Sequence, residues 1–374
     1  MACVIYCSAV RNRQFLWWVA GTVAAVLLIG GGIALAVSRR PGGRTTAATP
    51  TWSEPSPSAT ASPSAAPSAG ADITGPLDLL LLGVDTRVTI PDWEPHSDAI
   101  MMLHVEPGLK SAYLYSLPRD LRVKMPAFAK AGFGGGTFKI TEAMSRGSRV
   151  PGSNKTSVPQ GYELLTKTLT AHTGIKQFQA GAILNFGGLA NLVDQLGGID
   201  LVVDQTVKSH HRKPDGTLRA LAPGGGDYTG PQAVYLPGKH HFVGWQAIDY
   251  ARQRYGLPNG DYDRQRHQRQ LVEAILTKAL SQGLSSDLSK LQGLITALGQ
   301  TLVDVGGRSP LEFAYALRHL TPATITLVTL TGDGVGVGGS YAGEQLTAES
   351  KAFLKAVAQD KIAPFLAAHP KLKG

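Results

Sequence analysis

The sequence predicts an α/β layered domain, and three observations carry that prediction. The first is a set of apolar, β-like runs: LDLLLLG (77–83), AIMMLHV (99–105) and SAYLYSL (111–117). The second is a strand–helix–strand alternation in AGAILNFGGLANLVDQLGGIDLVVD (180–204), which belongs to layered α/β architecture rather than an all-β one. The third is an amphipathic helical pattern in GDYDRQRHQRQLVEAILTKAL (260–280).

In chain order, residues 1–14 read as a short cytoplasmic arm. Phe15 to Val37 contains no charged residue, and as a helix it would be about 34 Å long, enough to cross a bilayer. Arg11 and Arg13 flank one end, Arg39 and Arg40 the other, so positive charge does not set the orientation. The apolar stretch exceeds a usual signal-peptide core, which favours an uncleaved signal-anchor at 15–37 with the long C-terminal part outside the cell. Residues 38–75 turn to Pro, Ser, Ala and Thr, a composition that cannot bury a core and reads as an extended extracellular linker. Cys3 and Cys7 both precede the apolar segment, leaving the outer part without a disulfide framework or a thiolate metal site.

The 374-residue chain carries a formal +9, and removing residues 1–75 leaves 31 basic against 25 acidic side chains. That surplus suits acidic surfaces or phosphorylated substrates. No helix-turn-helix, zinc-finger or RNA-binding signature accompanies it, so nucleic acid is not an expected partner.

The turn EPGLK (106–110) makes the second and third apolar runs a natural hairpin. If the second run also pairs antiparallel with the first, Asp85, Arg87, Asp98, Arg119 and Asp120 gather along one sheet edge, as an anion and metal site. Downstream, Gly161–Thr173 reads as a helix, then a strand leads to Asn185 and Phe186, and the next helix ends at Gly197–Gly198. Asn185 and Phe186 stand at a strand-to-helix junction within reach of a ligand, with packing the expected role of Phe186.

Arg252 and Arg254 are two apart and would diverge by about 200° on a helix. The Gly244–Ala251 helix is therefore expected to stop near Tyr250–Ala251, leaving both arginines on an extended segment facing the site. The last helix opens with an Asp N-cap. Its apolar face is Leu271, Ile275 and Leu276, and Arg264 and Gln268 fall on the same inward stripe. A charge there needs an opposite charge, so Arg264 meets either a protein carboxylate or a bound anion. Gln265, Arg266, His267, Arg269 and Gln270 read as solvated positions, and the pairs His210–His211 and His240–His241 as loop histidines. GFGGGT (132–137) and GGG (224–226) lack a Walker or Rossmann context and read as loops.

The cation set is thus Arg87, Arg119, Arg252, Arg254 and Arg264, with Lys139 in FKITEA an addition. Guanidinium forks suit phosphate oxygens, and this many cations exceed what Asp85, Asp98 and Asp120 balance. A pyrophosphate is the natural occupant. Asp85 and Asp98 suit Mg²⁺, which typically takes one or two carboxylates plus substrate phosphates.

Taken in order, LLLGVDTR, SDAIMMLHV, LYSLPRDL, FKITEA, NFGGLANLVDQLGGIDL, GWQAIDYARQR and DYDRQRHQRQL make the chain resemble the LytR-CpsA-Psr family of cell-wall glycopolymer ligases over about 77–280. The resemblance implies an α-β-α sandwich with a central mixed sheet, an apolar polyprenyl tunnel and a preceding transmembrane helix. It also implies Mg²⁺-dependent transfer of an anionic glycopolymer from a polyprenyl-pyrophosphate carrier to peptidoglycan, at the membrane. On matching positions, Asp85 and Asp98 would be metal-side carboxylates, and Arg119, Arg252, Arg254 and Arg264 would clamp the pyrophosphate with Gln268. Arg87, Asp120 and Lys139 match motif positions, with Asp120 placed beside Arg119, Arg252 and Arg254 among the catalytic candidates. His267 departs from the arginine of many relatives. Residues 76–280 are the expected catalytic domain, and 281–374 an extension docked on it, with a strand in TITLVTL (324–330) and a helix in FLKAVAQ (353–359). A carrier pyrophosphatase and a non-catalytic lipid-pyrophosphate-binding regulator remain alternative readings.

Overall fold

The computed structural model describes residues 70–85, 94–283, 302–304, 308, 310–337 and 339–373. The expected arm, signal-anchor and most of the linker lie outside these residues. Among those described, no helix is long and apolar enough to cross a membrane.

The three apolar runs form strands β1 (Leu77–Asp85), β2 (His96–Val105) and β3 (Ala112–Leu117). β2 pairs antiparallel with both neighbours, as the hairpin argument requires. A short hairpin follows, β4 (Arg122–Met125) with β5 (Gly136–Lys139), so the GFGGGT stretch read as a loop ends inside a strand. Helix Val158–Thr173 begins three residues before the predicted start, because Ser157 caps it and Pro159 suits its first turn. β6 (Ala180–Asn185) runs parallel to β1 and leads directly into helix Phe186–Gln195, followed by β7 (Ile199–Val203).

The central sheet has six strands, in the order Leu302–Asp304, β6, β1, β2, β3 and Ile325–Val328. It is mixed: β2 is antiparallel to both neighbours, β6 is parallel to β1 and antiparallel to Leu302–Asp304, and Ile325–Val328 is parallel to β3. Strand alternation sends Leu80, Leu82, Ile100 and Met102 to one face, beneath Leu164, Leu165, Phe353 and Leu354 of helices Val158–Thr173 and Ala348–Val357. Leu79, Leu81, Met101 and Leu103 go to the other, with Leu276 of helix Asp261–Ser281 and Phe313 of helix Pro310–Ala316. The result is an α-β-α sandwich, and both C-terminal elements expected from TITLVTL and FLKAVAQ pack into it.

Three local expectations change. Gly260, with φ of 50°, occupies the N-cap of the last long helix, and Asp261 is its first residue. Gln265, His267 and Arg269 are buried rather than solvated, because that helix is covered on more than one side. Its Tyr250-facing flank carries His267, stacked 4.4 Å from the Tyr250 ring, while Arg269 donates to Thr329 Oγ1 at 2.8 Å. Finally, His240 and His241 lie on strand Gly238–Phe242, paired with β7, rather than in a loop.

Candidate active site

The predicted sheet edge exists, and a β-bulge shapes it. Gly83 pairs with Ala99 but Val84 pairs with Ser97, so Asp98 is an extra residue on β2. Bulges re-aim a side chain; here Asp98 Oδ1 accepts from Arg119 Nη1 at 2.5 Å. Arg119 stands in the turn after β3, where Leu121 N donates to the Pro118 carbonyl at 2.9 Å. Its Nε lies 3.6 Å from Asp120 Oδ1, and Lys139, at the end of β5, places Nζ 3.4 Å from Asp120 Oδ2. Burial would lower the Arg119 guanidinium, but Asp98, Asp120 and Asp261 outweigh it and hold it above its ordinary value.

Arg264 reaches this cluster from the long helix. It is 5% exposed, sits 2.5 Å from Asp261 Oδ1, and donates to the Asp98 carbonyl at 3.0 Å. It thus meets a protein carboxylate, one of the two partners expected for it. Burial pushes its guanidinium down, Asp261 and Asp98 oppose that, and nearby Arg119 and Arg254 add to it. Arg119, Arg254 and Arg264 therefore share one electrostatic neighbourhood. Asp85 ends β1 opposite His96, but its side chain, like all of Arg87, lies outside the described residues.

Helix Gly244–Arg252 runs one residue past the predicted stop, and Gln253 then takes the extended conformation. Gln253 is 1% exposed. It donates to the Asp249 carbonyl and carboxylate, each at 2.9 Å, and accepts from His210 N at 2.9 Å. Asp249 also accepts from Ser209 and Tyr235, and burial holds its carboxyl above the usual range. This inward anchor leaves Arg252 over the Phe186 ring, 4.0 Å from its centroid, and Arg254 donating to the Tyr255 hydroxyl at 2.9 Å.

Arg252 also lines an apolar cavity with about 730 Å³ of empty space including its mouth. Its walls include Leu81, Met101, Leu189, Leu271 and Ile275, while Arg252, Gln268 and Asn185 supply polar lining. Phe186 packs there as expected, and also carries Arg252. Asn185 caps its helix by accepting from Gly188 N at 2.7 Å. Gln268 Oε1, Arg264 Nε and Arg119 Nε are buried without a hydrogen-bond partner among the described residues, a costly state that a polar ligand would relieve.

Sequence reasoning undercounted the carboxylates. Asp261 could have been found as an i,i+3 partner of Arg264. Glu344 and Tyr341 could not, since they come from hairpin Gly332–Val337 with Ser340–Leu346. Glu344 N donates to the Asp120 carbonyl at 2.8 Å, and Tyr341 donates to Glu344 at 2.8 Å and to Asp120 at 3.3 Å. Lys139 Nζ lies 4.7 Å from the Tyr341 ring centre.

The described residues contain no group of three His, Cys, Asp or Glu side chains able to hold a metal alone. Mg²⁺ does not need one when substrate phosphates complete its shell. Asp98 and Asp85 stand on adjacent strands at one sheet end, and the Asp98 carboxylate offers hard oxygen donors of the kind Mg²⁺ takes.

An apolar cavity with Arg252 and Gln268 in its lining, on an α-β-α sandwich, defines an α/β protein with a cation-bearing apolar site. The chain belongs to the LytR_cpsA_psr family, whose model matches residues 46–359. It is 30% identical over 287 residues to Biofilm regulatory protein A of Streptococcus mutans, covering 75% of this chain and 62% of that one. It is 29% identical over 227 residues to an Enterococcus faecalis protein named polyisoprenyl-teichoic acid–peptidoglycan teichoic acid transferase TagU, covering 61% and 60%. The chain thus spans about three fifths of the length of these relatives. A crystal structure from Streptococcus agalactiae shares the fold with a TM-score of 0.59 at 23% identity, covering 77% of this chain and 88% of that one.

Proposed function

We propose that this chain is a phosphotransferase that moves an anionic glycopolymer from a polyprenyl-pyrophosphate carrier onto peptidoglycan. The observation that carries the reading is Arg252 in the lining of an apolar cavity, with Arg264 one helical turn from the lining residue Gln268 and in one electrostatic neighbourhood with Arg119 and Arg254. A polyprenyl chain suits the cavity and a pyrophosphate suits these arginines. The name of the Enterococcus faecalis relative states the same class of transfer.

A hydroxyl of the acceptor glycan, C6 of a muramic acid unit in our reading, attacks the sugar-side phosphorus. The bond from that phosphorus to the bridging oxygen breaks, and polyprenyl phosphate leaves. A phosphodiester then joins polymer to wall, and the hydroxyl proton passes to a mouth carboxylate, Asp98 or Asp120. The arginines position the pyrophosphate and offset charge on its oxygens, with Lys139, Arg87 and Gln268 as further contacts. Asp85 and Asp98 would hold Mg²⁺, which supplies added charge neutralisation at the phosphate oxygens. A signal-anchor at 15–37 would place this domain on the outer face of the cell membrane, within reach of both substrates.

The test is full-length chain in detergent with Mg²⁺, a short polyprenyl-pyrophosphate saccharide and a peptidoglycan oligomer, read by mass spectrometry. A phosphodiester-linked product is expected, and Arg119→Ala should lower its rate by about 10²–10³-fold. Saccharide phosphate without coupling would indicate a pyrophosphatase. Binding with no turnover would indicate a regulator.

A further inference from the structure

Between β7 and strand Gly238–Phe242 the chain makes a long excursion whose ring cluster ends beside the arginine segment. Arg219 is buried at its centre, donating to the carbonyls of His210 at 2.8 Å, Tyr228 at 2.9 Å and Gly230 at 3.1 Å. Around it, His210 packs 5.0 Å from Tyr228 and 4.9 Å from His211. Tyr255, from the other side of Arg254, lies 4.6 Å from the His210 ring with the planes 33° apart. Its hydroxyl accepts from Arg254, yet the residue is 54% exposed. A scattered exposed aromatic needs no explanation. Tyr255 is different, because it is held at both its ring and its hydroxyl while more than half of it stays in water.

We infer that Tyr255, with His210 and Tyr228 behind it, forms a saccharide subsite for the sugar joined to the pyrophosphate; this rests on the function proposed above. The direction of the site argues for it. Arg252 lines the apolar cavity, and Arg254, two residues on, meets Tyr255. A ligand whose chain fills the cavity and whose pyrophosphate spans the arginines therefore presents its next group to Tyr255. In the proposed donor that group is a pyranose. Aromatic carbon suits the apolar C–H face of a sugar, while hydroxyl and imidazole tips sort its polar edge. His211 stays neutral near pH 7, since burial and then Arg252 push it down to about 4, so its ring can accept as well as donate.

The test uses full-length chain in detergent, titrated by calorimetry with farnesyl pyrophosphate and with N-acetylglucosaminyl-pyrophosphoryl farnesol. The sugar-bearing probe should bind at least about tenfold tighter. Tyr255→Ala should erase that increment and leave farnesyl pyrophosphate affinity unchanged, and Tyr255→Phe should keep most of it. Equal binding of both probes by the unmodified chain would overturn the subsite while leaving the pyrophosphate site standing. An equal loss for both probes in Tyr255→Ala would also overturn it, since Tyr255 would then merely orient Arg254. Failure to bind farnesyl pyrophosphate at all would sink the underlying function as well.

Discussion

Along helix Asp261–Ser281, Leu271 and Ile275 line the cavity, while Gln268 and Arg264 continue the same stripe toward its mouth. One face of one helix thus passes from apolar interior to charged rim within two turns. Interior side chains contribute through area and shape. Rim side chains are coupled: Arg264 leans on Asp261 and the Asp98 carbonyl, Asp98 holds Arg119, and Asp120 bridges Arg119 to Lys139. A ligand's anionic head must compete with these carboxylates, whereas its apolar chain meets no such competition.

The largest expected effect is at the junction. Arg264→Ala leaves Asp261 and the Asp98 carbonyl short of a buried partner, and should destabilise the domain by about 3–5 kcal/mol. Urea unfolding measures this. The double variant Arg264→Met with Asp261→Leu should recover part of that stability and still bind pyrophosphate poorly. Full recovery of binding would show that Arg264 belongs to the packing rather than to the rim.

Ile275→Ala, in the interior, should cost about 2–3 kcal/mol, toward the lower end for such truncations because the side chain already borders a void. It should leave affinity for inorganic pyrophosphate unchanged and shift preference among alkyl pyrophosphates toward bulkier chains. If inorganic pyrophosphate affinity fell in parallel, interior and rim would not be separable.

The same contrast explains what the sequence disclosed. The strands and the long helix follow from periodicity, because burial on one face leaves a regular trace in the residues. Asp98, Arg119 and Asp120 were legible because they punctuate those strands, and Gln268 and Arg264 because they interrupt an apolar stripe. The bulge at Asp98 and the inward anchor Gln253 were not, since each depends on pairing with residues far along the chain. Tyr341 and Glu344 arrive through strand pairing with no local signature. The buried Gln265, His267 and Arg269 were misread because an amphipathic pattern assumes one covered face, and this helix has more.

The smallest effect separates rim from interior by pH. The rim cations of the helix and strand turns are arginines, which do not titrate in the working range, so affinity for a pyrophosphate diester, whose own charge is constant there, should change little between pH 7.5 and 6. Behind them His267 is 0% exposed, and burial pushes its ring down to about 4, against the opposing pull of Asp204. An unfolded histidine titrates near 6.5, so between roughly pH 6.5 and 4 the unfolded chain holds a proton that the folded chain refuses. Stability should therefore fall as pH drops through that window, by about 1.4 kcal/mol per unit from His267. Replacing it with Gln, which keeps a polar side chain without the titration, should flatten the slope by that amount while pyrophosphate affinity stays level. A slope unchanged in His267→Gln would mean that the buried ring is protonated in the folded protein, and that charge penetrates deeper behind the rim than its packing against Tyr250 implies.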